Sequence, residues 1–296
     1  MDMQGMRGSV VALVTPFAGD GSVDFEALER LVDFQLAGCT DGFLVLGTTG
    51  ESSTMTDAED IEVTRAVVER VAGRVPVIGG AGSNSTAESM AKAKALEAVG
   101  VDGLLLITPY YNKSNEEGIY QHFKYVLDRT EVPSILYNIP GRTGCSISEG
   151  NVARLASHPN AWGIKEASGN ISYAAKVARY VSDDFHMMSG NDDMIVPILS
   201  LGGSGVVSVW ADVQPQVTHD LCQAWFDGRP DEALRLQLEG LDLVHALFCE
   251  VNPIPVKAAL ARMGLIGENY RLPLTRISEA GAAQLEAAMR GVGLLG

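Results

Sequence analysis

At 296 residues, 46% of them hydrophobic and 20% charged, with no low-complexity tract, the chain can bury a large core and is not a disordered protein. A formal net charge of -15, with no Lys/Arg cluster to offset it, opposes contact with nucleic-acid phosphates. No apolar stretch is long enough to span a bilayer and residues 1–7 lack the regions of a signal peptide, so the expectation is a cytoplasmic protein with neither a membrane nor a nucleic-acid partner.

Short apolar runs rich in branched residues alternate with stretches of helical period. In chain order the predicted strands are 9–14, 42–47, 75–80, 103–108, 134–138, 163–165, 186–189 and 205–209. Predicted helices at 24–37, 57–71, 85–99, 116–129 and 172–181 lie between them. Eight such units without an evident linker favour an α/β fold closed as a (β/α)8 TIM barrel over an open doubly wound sheet. An open dinucleotide-binding sheet would also carry Gly-x-Gly-x-x-Gly after its first strand, where this chain has Thr15-Pro16-Phe17. Helical stretches at 230–250, 255–263 and 278–289 follow without another strand pattern. The expected division is a barrel, 1–228, and a C-terminal helical extension, 229–296, which either packs on the barrel or mediates self-association.

Cys39, Cys145, Cys222 and Cys249 are widely spaced, and His122, His158, His186, His219 and His245 are equally scattered. With no Cys-x-x-Cys pair and no histidine at ligand spacing, the expectation is reduced thiols, no metal site and no histidine-based triad.

In an eight-stranded barrel the active site lies at the C-terminal ends of the strands, where the following loops converge. The unusual residues of this chain fall there. Gly47-Thr48-Thr49-Gly50-Glu51 follows the second predicted strand, Pro109-Tyr110-Tyr111-Asn112 the fourth, and Tyr137-Asn138-Ile139-Pro140-Gly141-Arg142-Thr143-Gly144 the fifth. Lys165 ends the sixth, and Gly190-Asn191-Asp192 follows the seventh. An ammonium at the end of an apolar run is costly unless its charge has a partner or its amine has a task. Two readings of Lys165 stand: a structural ion pair with Glu166 or another carboxylate, or a desolvated amine that forms a Schiff base with a carbonyl substrate.

Each companion residue also has a plain structural reading. Thr48 and Thr49 could cap the next helix, but between glycines they also suit a substrate carboxylate. Tyr110 and Tyr111 could serve packing, whereas Tyr137, one strand before Lys165, is close enough to relay protons. Arg142 could be a solvated loop charge, yet its planar fork fits a second carboxylate. Together on one rim they point to imine chemistry on a 2-keto acid without an external cofactor. Pyridoxal phosphate would need a phosphate cradle and a partner for its ring nitrogen, and neither can be located.

These motifs, with Thr108-Pro109-Tyr110-Tyr111-Asn112, Gly163-Ile164-Lys165-Glu166-Ala167 and Asn252-Pro253-Ile254-Pro255-Val256-Lys257, closely resemble the pyruvate-dependent class I aldolase family that includes the dihydrodipicolinate synthases and the N-acetylneuraminate lyases. The resemblance runs from about Gly8 to the last helix. It implies condensation of pyruvate with L-aspartate 4-semialdehyde to 4-hydroxy-tetrahydrodipicolinate, in lysine and diaminopimelate biosynthesis. The alternative within the family is an N-acetylneuraminate lyase or another pyruvate-dependent sugar-acid aldolase, and Arg142 favours the synthase branch.

By the same resemblance Lys165 forms the imine, Thr49, Tyr137 and Tyr111 form a proton relay, and Tyr111 reaches into a neighbouring subunit of a homotetramer built as a dimer of dimers. Thr48 and Thr49 would hold the pyruvate carboxylate, Arg142 the carboxylate of the aldehyde, and Val207 would line the site. Ser53, Asn84, Glu88 and Tyr110 match positions that bind inhibitory lysine between paired subunits. Asp57 and Asp60 stand where inhibited bacterial relatives have histidines, which leaves lysine regulation open. Asp212 stands where many relatives have asparagine.

Overall fold

Eight parallel strands close into one barrel in sequence order: β1 (Gly8–Ala12), β2 (Gly42–Val45), β3 (Val77–Gly80), β4 (Gly103–Ile107), β5 (Ser134–Asn138), β6 (Ala161–Glu166), β7 (His186–Ser189) and β8 (Gly205–Ser208). The structure is a computed structural model and describes residue 3 and residues 5–296. Closure is visible at Val10, which pairs with Gly42 of β2 on one side and with Val207 of β8 on the other. A parallel sheet covered by helices is buried on both faces, which is why its strands read as continuous apolar runs. Every residue of β1, β2, β3, β5, β6 and β8 is buried. All eight expected strands are present. The sixth is longer than expected, so Lys165 lies one residue inside its end.

Around the barrel lie α1 (Phe25–Ala37), α2 (Asp57–Val71), α3 (Thr86–Val99), α4 (Glu116–Leu127), α5 (Pro140–Thr143), α6 (Glu149–Leu155), α7 (Ile171–Val177), α8 (Ile195–Ser200) and α9 (Pro215–Phe226). Their starts are written in capping side chains that accept from otherwise unpaired amides. Asp24 caps α1, Ser85 caps α3, Asn115 caps α4, and Thr56 with Glu59 forms a reciprocal capping box at α2. The α3 helix ends at Gly100, whose φ of 96° suits a residue without Cβ.

Four helices follow: α10 (Pro230–Glu239), α11 (Leu241–Ala246), α12 (Ile254–Arg262) and α13 (Glu279–Gly291). Leu243, Val244, Val256, Leu285 and Met289 join the same hydrophobic cluster as the strands, so these helices pack on the barrel. The chain then crosses the rim: Asn269 Nδ2 donates to the Phe17 carbonyl at 2.9 Å, and the Arg271 guanidinium stacks 4.3 Å from the Phe17 ring. Arg271 also donates to Glu59 on α2. No helix among the described residues is long and apolar enough to cross a membrane.

Candidate active site

Parallel register puts Lys165 of β6 beside Tyr137 of β5, with Lys165 Nζ 4.5 Å from the centroid of the Tyr137 ring. Both residues are buried. Burial lowers the Lys165 pKa from 10.5 to about 8; the Asp192 charge opposes that shift and the Arg142 charge assists it. A substantial share of neutral, nucleophilic amine is therefore present near neutral pH. Burial raises the Tyr137 hydroxyl above its ordinary value, opposed by Arg142, so at neutral pH it is a protonated donor. Gly190 leaves room for the lysine: a Cβ there would lie 2.9 Å from Lys165 Cε and 2.6 Å from Ala167 Cβ.

The alternative pairing of Lys165 with Glu166 is not formed. Successive residues of a strand face opposite sides. Glu166 accepts from Asn138 Nδ2 at 2.7 Å, from the Ser168 amide at 2.8 Å and from the Ser168 hydroxyl. Among the described residues no carboxylate is within ion-pair distance of Lys165 Nζ. The charge that supports it electrostatically is Asp192, a buried carboxylate that accepts from the amides of Val209 and Trp210 at 3.0 and 2.9 Å.

Thr48, Tyr137 and Arg142 line one cavity of about 790 Å³. Thr49, buried beside them in the turn after β2, accepts a 2.9 Å hydrogen bond from Asn252 Nδ2. Arg142, in the one-turn helix α5, donates from Nη2 to the Asn252 carbonyl at 3.3 Å. Val207 is buried in β8. Tyr111 is 91% exposed, with a φ of 69°, and the Asn112 amide bonds back to the Tyr110 carbonyl at 2.8 Å. A positive φ spanned by such an i to i+2 bond is a strained γ-turn, and it presents the Tyr111 ring to solvent.

The same cavity extends past Ser53, Glu88 and Tyr110. Asn84 is outside its lining but holds the tyrosine loop, its carbonyl accepting from Asn112 Nδ2 at 3.0 Å. Asp57 and Asp60 also line it, and Asp60 pairs with Lys92 at 2.6 Å. Burial raises the Asp60 pKa against the opposing Lys92 charge.

The family model for the dihydrodipicolinate synthetase family matches residues 5–291. The chain belongs to the dihydrodipicolinate synthetase family. It is 49% identical to the 4-hydroxy-tetrahydrodipicolinate synthase of Caldicellulosiruptor saccharolyticus, over 97% of each chain. Among solved structures it superposes on a monomeric dihydrodipicolinate synthase variant with a TM-score of 0.97 at 41% identity, over 99% of each chain. It also superposes on the chloride-inhibited dihydrodipicolinate synthase of Acinetobacter baumannii complexed with pyruvate, with a TM-score of 0.96 at 39% identity, over 98% of this chain and 100% of that one.

Within this family member, the surroundings of five residues, Gly190, Asp192, Asn252, Lys257 and Asp212, are not legible in the sequence. Gly190 and Asp192 sit on a recognised rim turn, but their relation to Lys165 depends on how β7 closes against β6. Asn252 and Lys257 belong to a motif that carries the family resemblance, but its residues suggest no role for either side chain. In the fold the buried Lys257 ammonium pairs with Glu51, lying 4.4 Å from the Phe17 ring centroid and 5.2 Å from that of Tyr270. The available signal was the lysine itself, two residues after Pro255 in an apolar stretch. Asp212, also buried, accepts from the Val14 amide at 3.2 Å, and burial and the neighbouring Asp192 hold its pKa well above the usual range.

Proposed function

We propose that this protein condenses pyruvate with L-aspartate 4-semialdehyde to give 4-hydroxy-tetrahydrodipicolinate, the Schiff-base reaction of lysine and diaminopimelate biosynthesis. The observation that carries the chemistry is Lys165, a buried amine with a pKa lowered to about 8, which packs against the ring of Tyr137, itself a wall of the cavity.

The Lys165 amine adds to the pyruvate ketone, and loss of water leaves an iminium ion. That cation draws electrons from the neighbouring methyl, which gives up a proton and becomes an enamine. The enamine carbon attacks the aldehyde, forming the carbon–carbon bond, and the new alkoxide takes a proton. The amino group of the semialdehyde then attacks the imine carbon, closing the ring and releasing Lys165. Net loss is one water. Tyr137, Thr49 and Tyr111 carry the protons, Thr48 and Thr49 hold the pyruvate carboxylate, Arg142 holds the carboxylate of the second substrate, and Val207 lines the site.

The oligomer we propose is a homotetramer arranged as a dimer of dimers. The exposed, strained turn at Tyr111 supports a role for that ring in a neighbouring subunit, since strain of this kind persists where function requires it. Ser53, Asn84, Glu88 and Tyr110 form the proposed lysine site, and the Lys92 ammonium beside Asp60 weakens it by placing a cation in the cavity a lysine would enter.

Borohydride added with pyruvate should attach the reduced pyruvate mass to Lys165 and to no other lysine. Activity without such an adduct would overturn the mechanism. Turnover of aspartate 4-semialdehyde set against that of N-acetylneuraminate separates the synthase from a sugar-acid lyase.

A further inference from the structure

The helical extension sends one polar side chain to the hydroxyl of Thr49. Asn252 is 7% exposed, and among the described residues its side chain makes a single hydrogen bond, from Nδ2 to Thr49 Oγ1 at 2.9 Å. Its Oδ1 is buried with no hydrogen-bond partner among the described residues. A buried amide with an unsatisfied oxygen is poor material for stability, because it is desolvated at both ends and compensated at one. Its one contact therefore points to a task.

The surroundings hold that contact in place from three sides. The Asn252 carbonyl accepts from Arg142 Nη2 at 3.3 Å. Five residues on, Lys257 is fully buried against Glu51, which closes the Thr48–Thr49 turn in a left-handed conformation at a φ of 53°. On the far side Thr15 Oγ1 donates to the Gly50 carbonyl at 2.7 Å. The turn and the amide are thus fixed relative to each other by a buried ion pair, a guanidinium and the first strand's loop.

A threonine hydroxyl has one proton to give and two lone pairs to receive. With the Asn252 N–H on one lone pair, the Thr49 proton cannot point back into the extension. It is left free for an acceptor on the other side of the hydroxyl, away from Asn252. We infer that Asn252 is a positioning residue for the proton relay, holding Thr49 as a donor toward the reacting groups by occupying its acceptor side. This inference rests on the reading of Thr49 as a relay hydroxyl.

The test uses the full-length protein with Asn252→Ala, Asn252→Asp and Thr49→Val, and three readouts: borohydride trapping at Lys165, exchange of the pyruvate methyl protons with deuterated solvent, and steady-state kcat. Both Asn252 variants should trap pyruvate at Lys165 as the parent does, while exchange and kcat fall together by at least about 10-fold, a part of the roughly 100- to 10,000-fold that a positioned acid–base group supplies in full. Asn252→Asp adds a signature that a purely structural role would not give. Its ionised carboxylate accepts from Thr49 and turns the hydroxyl the wrong way, whereas its protonated form donates as the amide did. The ratio of its kcat to that of the parent should therefore climb as pH falls, while the ratio for Asn252→Ala stays flat.

Exchange within twofold of the parent in both variants overturns the inference, and so does loss of trapping in step with loss of turnover. Should Asn252→Ala fail to fold, the nearly isosteric Asn252→Asp decides alone by its pH ratio. Thr49→Val separates the two levels: parent-like exchange in that variant removes the relay reading itself, whereas slow exchange there with normal Asn252 variants removes only the role of Asn252.

Discussion

Raising the pH should accelerate attack of Lys165 on pyruvate along a curve that bends near pH 8. Only the unprotonated amine is a nucleophile, and burial lowers its pKa from 10.5 to about 8. The neutral fraction is then roughly 1% at pH 6, about 10% at pH 7 and about 50% at pH 8. An ordinary lysine would be neutral in only about one molecule in three thousand at pH 7, so burial supplies a ~300-fold gain in reactive amine. Pyruvate mixed with enzyme and quenched with borohydride at short times gives the rate of imine formation at each pH. Its logarithm should climb with a slope of one up to the bend and then flatten. A slope of one sustained through pH 10 would refute the argument, because it would mean that the barrel wall leaves the lysine as basic as it is in water.

Lys165→Met should remove activity and stabilise the fold at pH 7 by up to ~3 kcal/mol, since an ammonium held at a lowered pKa is a cost the neutral side chain avoids. The sign can be checked by pH: the folded pKa lies below the unfolded one, so the parent gains stability as pH rises between them, and the advantage of Lys165→Met in urea melts should shrink from pH 8 toward pH 10.5. Lys257→Met leaves Glu51 buried without its counter-charge and should cost about 3–5 kcal/mol, or about 5–8 °C in Tm for a chain of this length. Adding Glu51→Gln should recover part of that, and a loss under about 1 kcal/mol would show the pair to be dispensable. Saturating lysine should change kcat less than twofold in the parent and more in Lys92→Met, where Asp60 faces the cavity unpaired; equal inhibition of both would remove the role given to the built-in ammonium.

The barrel was legible because each strand is a run buried on both faces, so hydrophobicity alone marks it. Short helices such as α6 and α8, of seven and six residues, carry too few turns to show a period, and they were not singled out. At the site, the rim rule located Lys165, Tyr137, Thr48, Thr49 and Arg142 from their strand numbers. Alternation along a strand also places adjacent Glu166 on the face away from Lys165, where it bonds to Asn138 and Ser168. The partners of Thr49 and Glu51 were out of reach for a different reason. Asn252 lies 203 residues after the first and Lys257 lies 206 after the second. Periodicity and spacing describe neighbours in the chain, and neither pair has any local trace.

Those separations bear on how the protein comes into being. Glu51 leaves the ribosome long before the lysine that neutralises it, so a nascent chain translated through β8 holds every strand of the barrel and a catalytic turn whose carboxylate has no buried counter-ion. That buried pair can form only once α12 arrives. Premature termination or proteolysis inside the extension would therefore silence the site without removing any of the eight strands, and a nearly complete polypeptide would be no more competent than an early one.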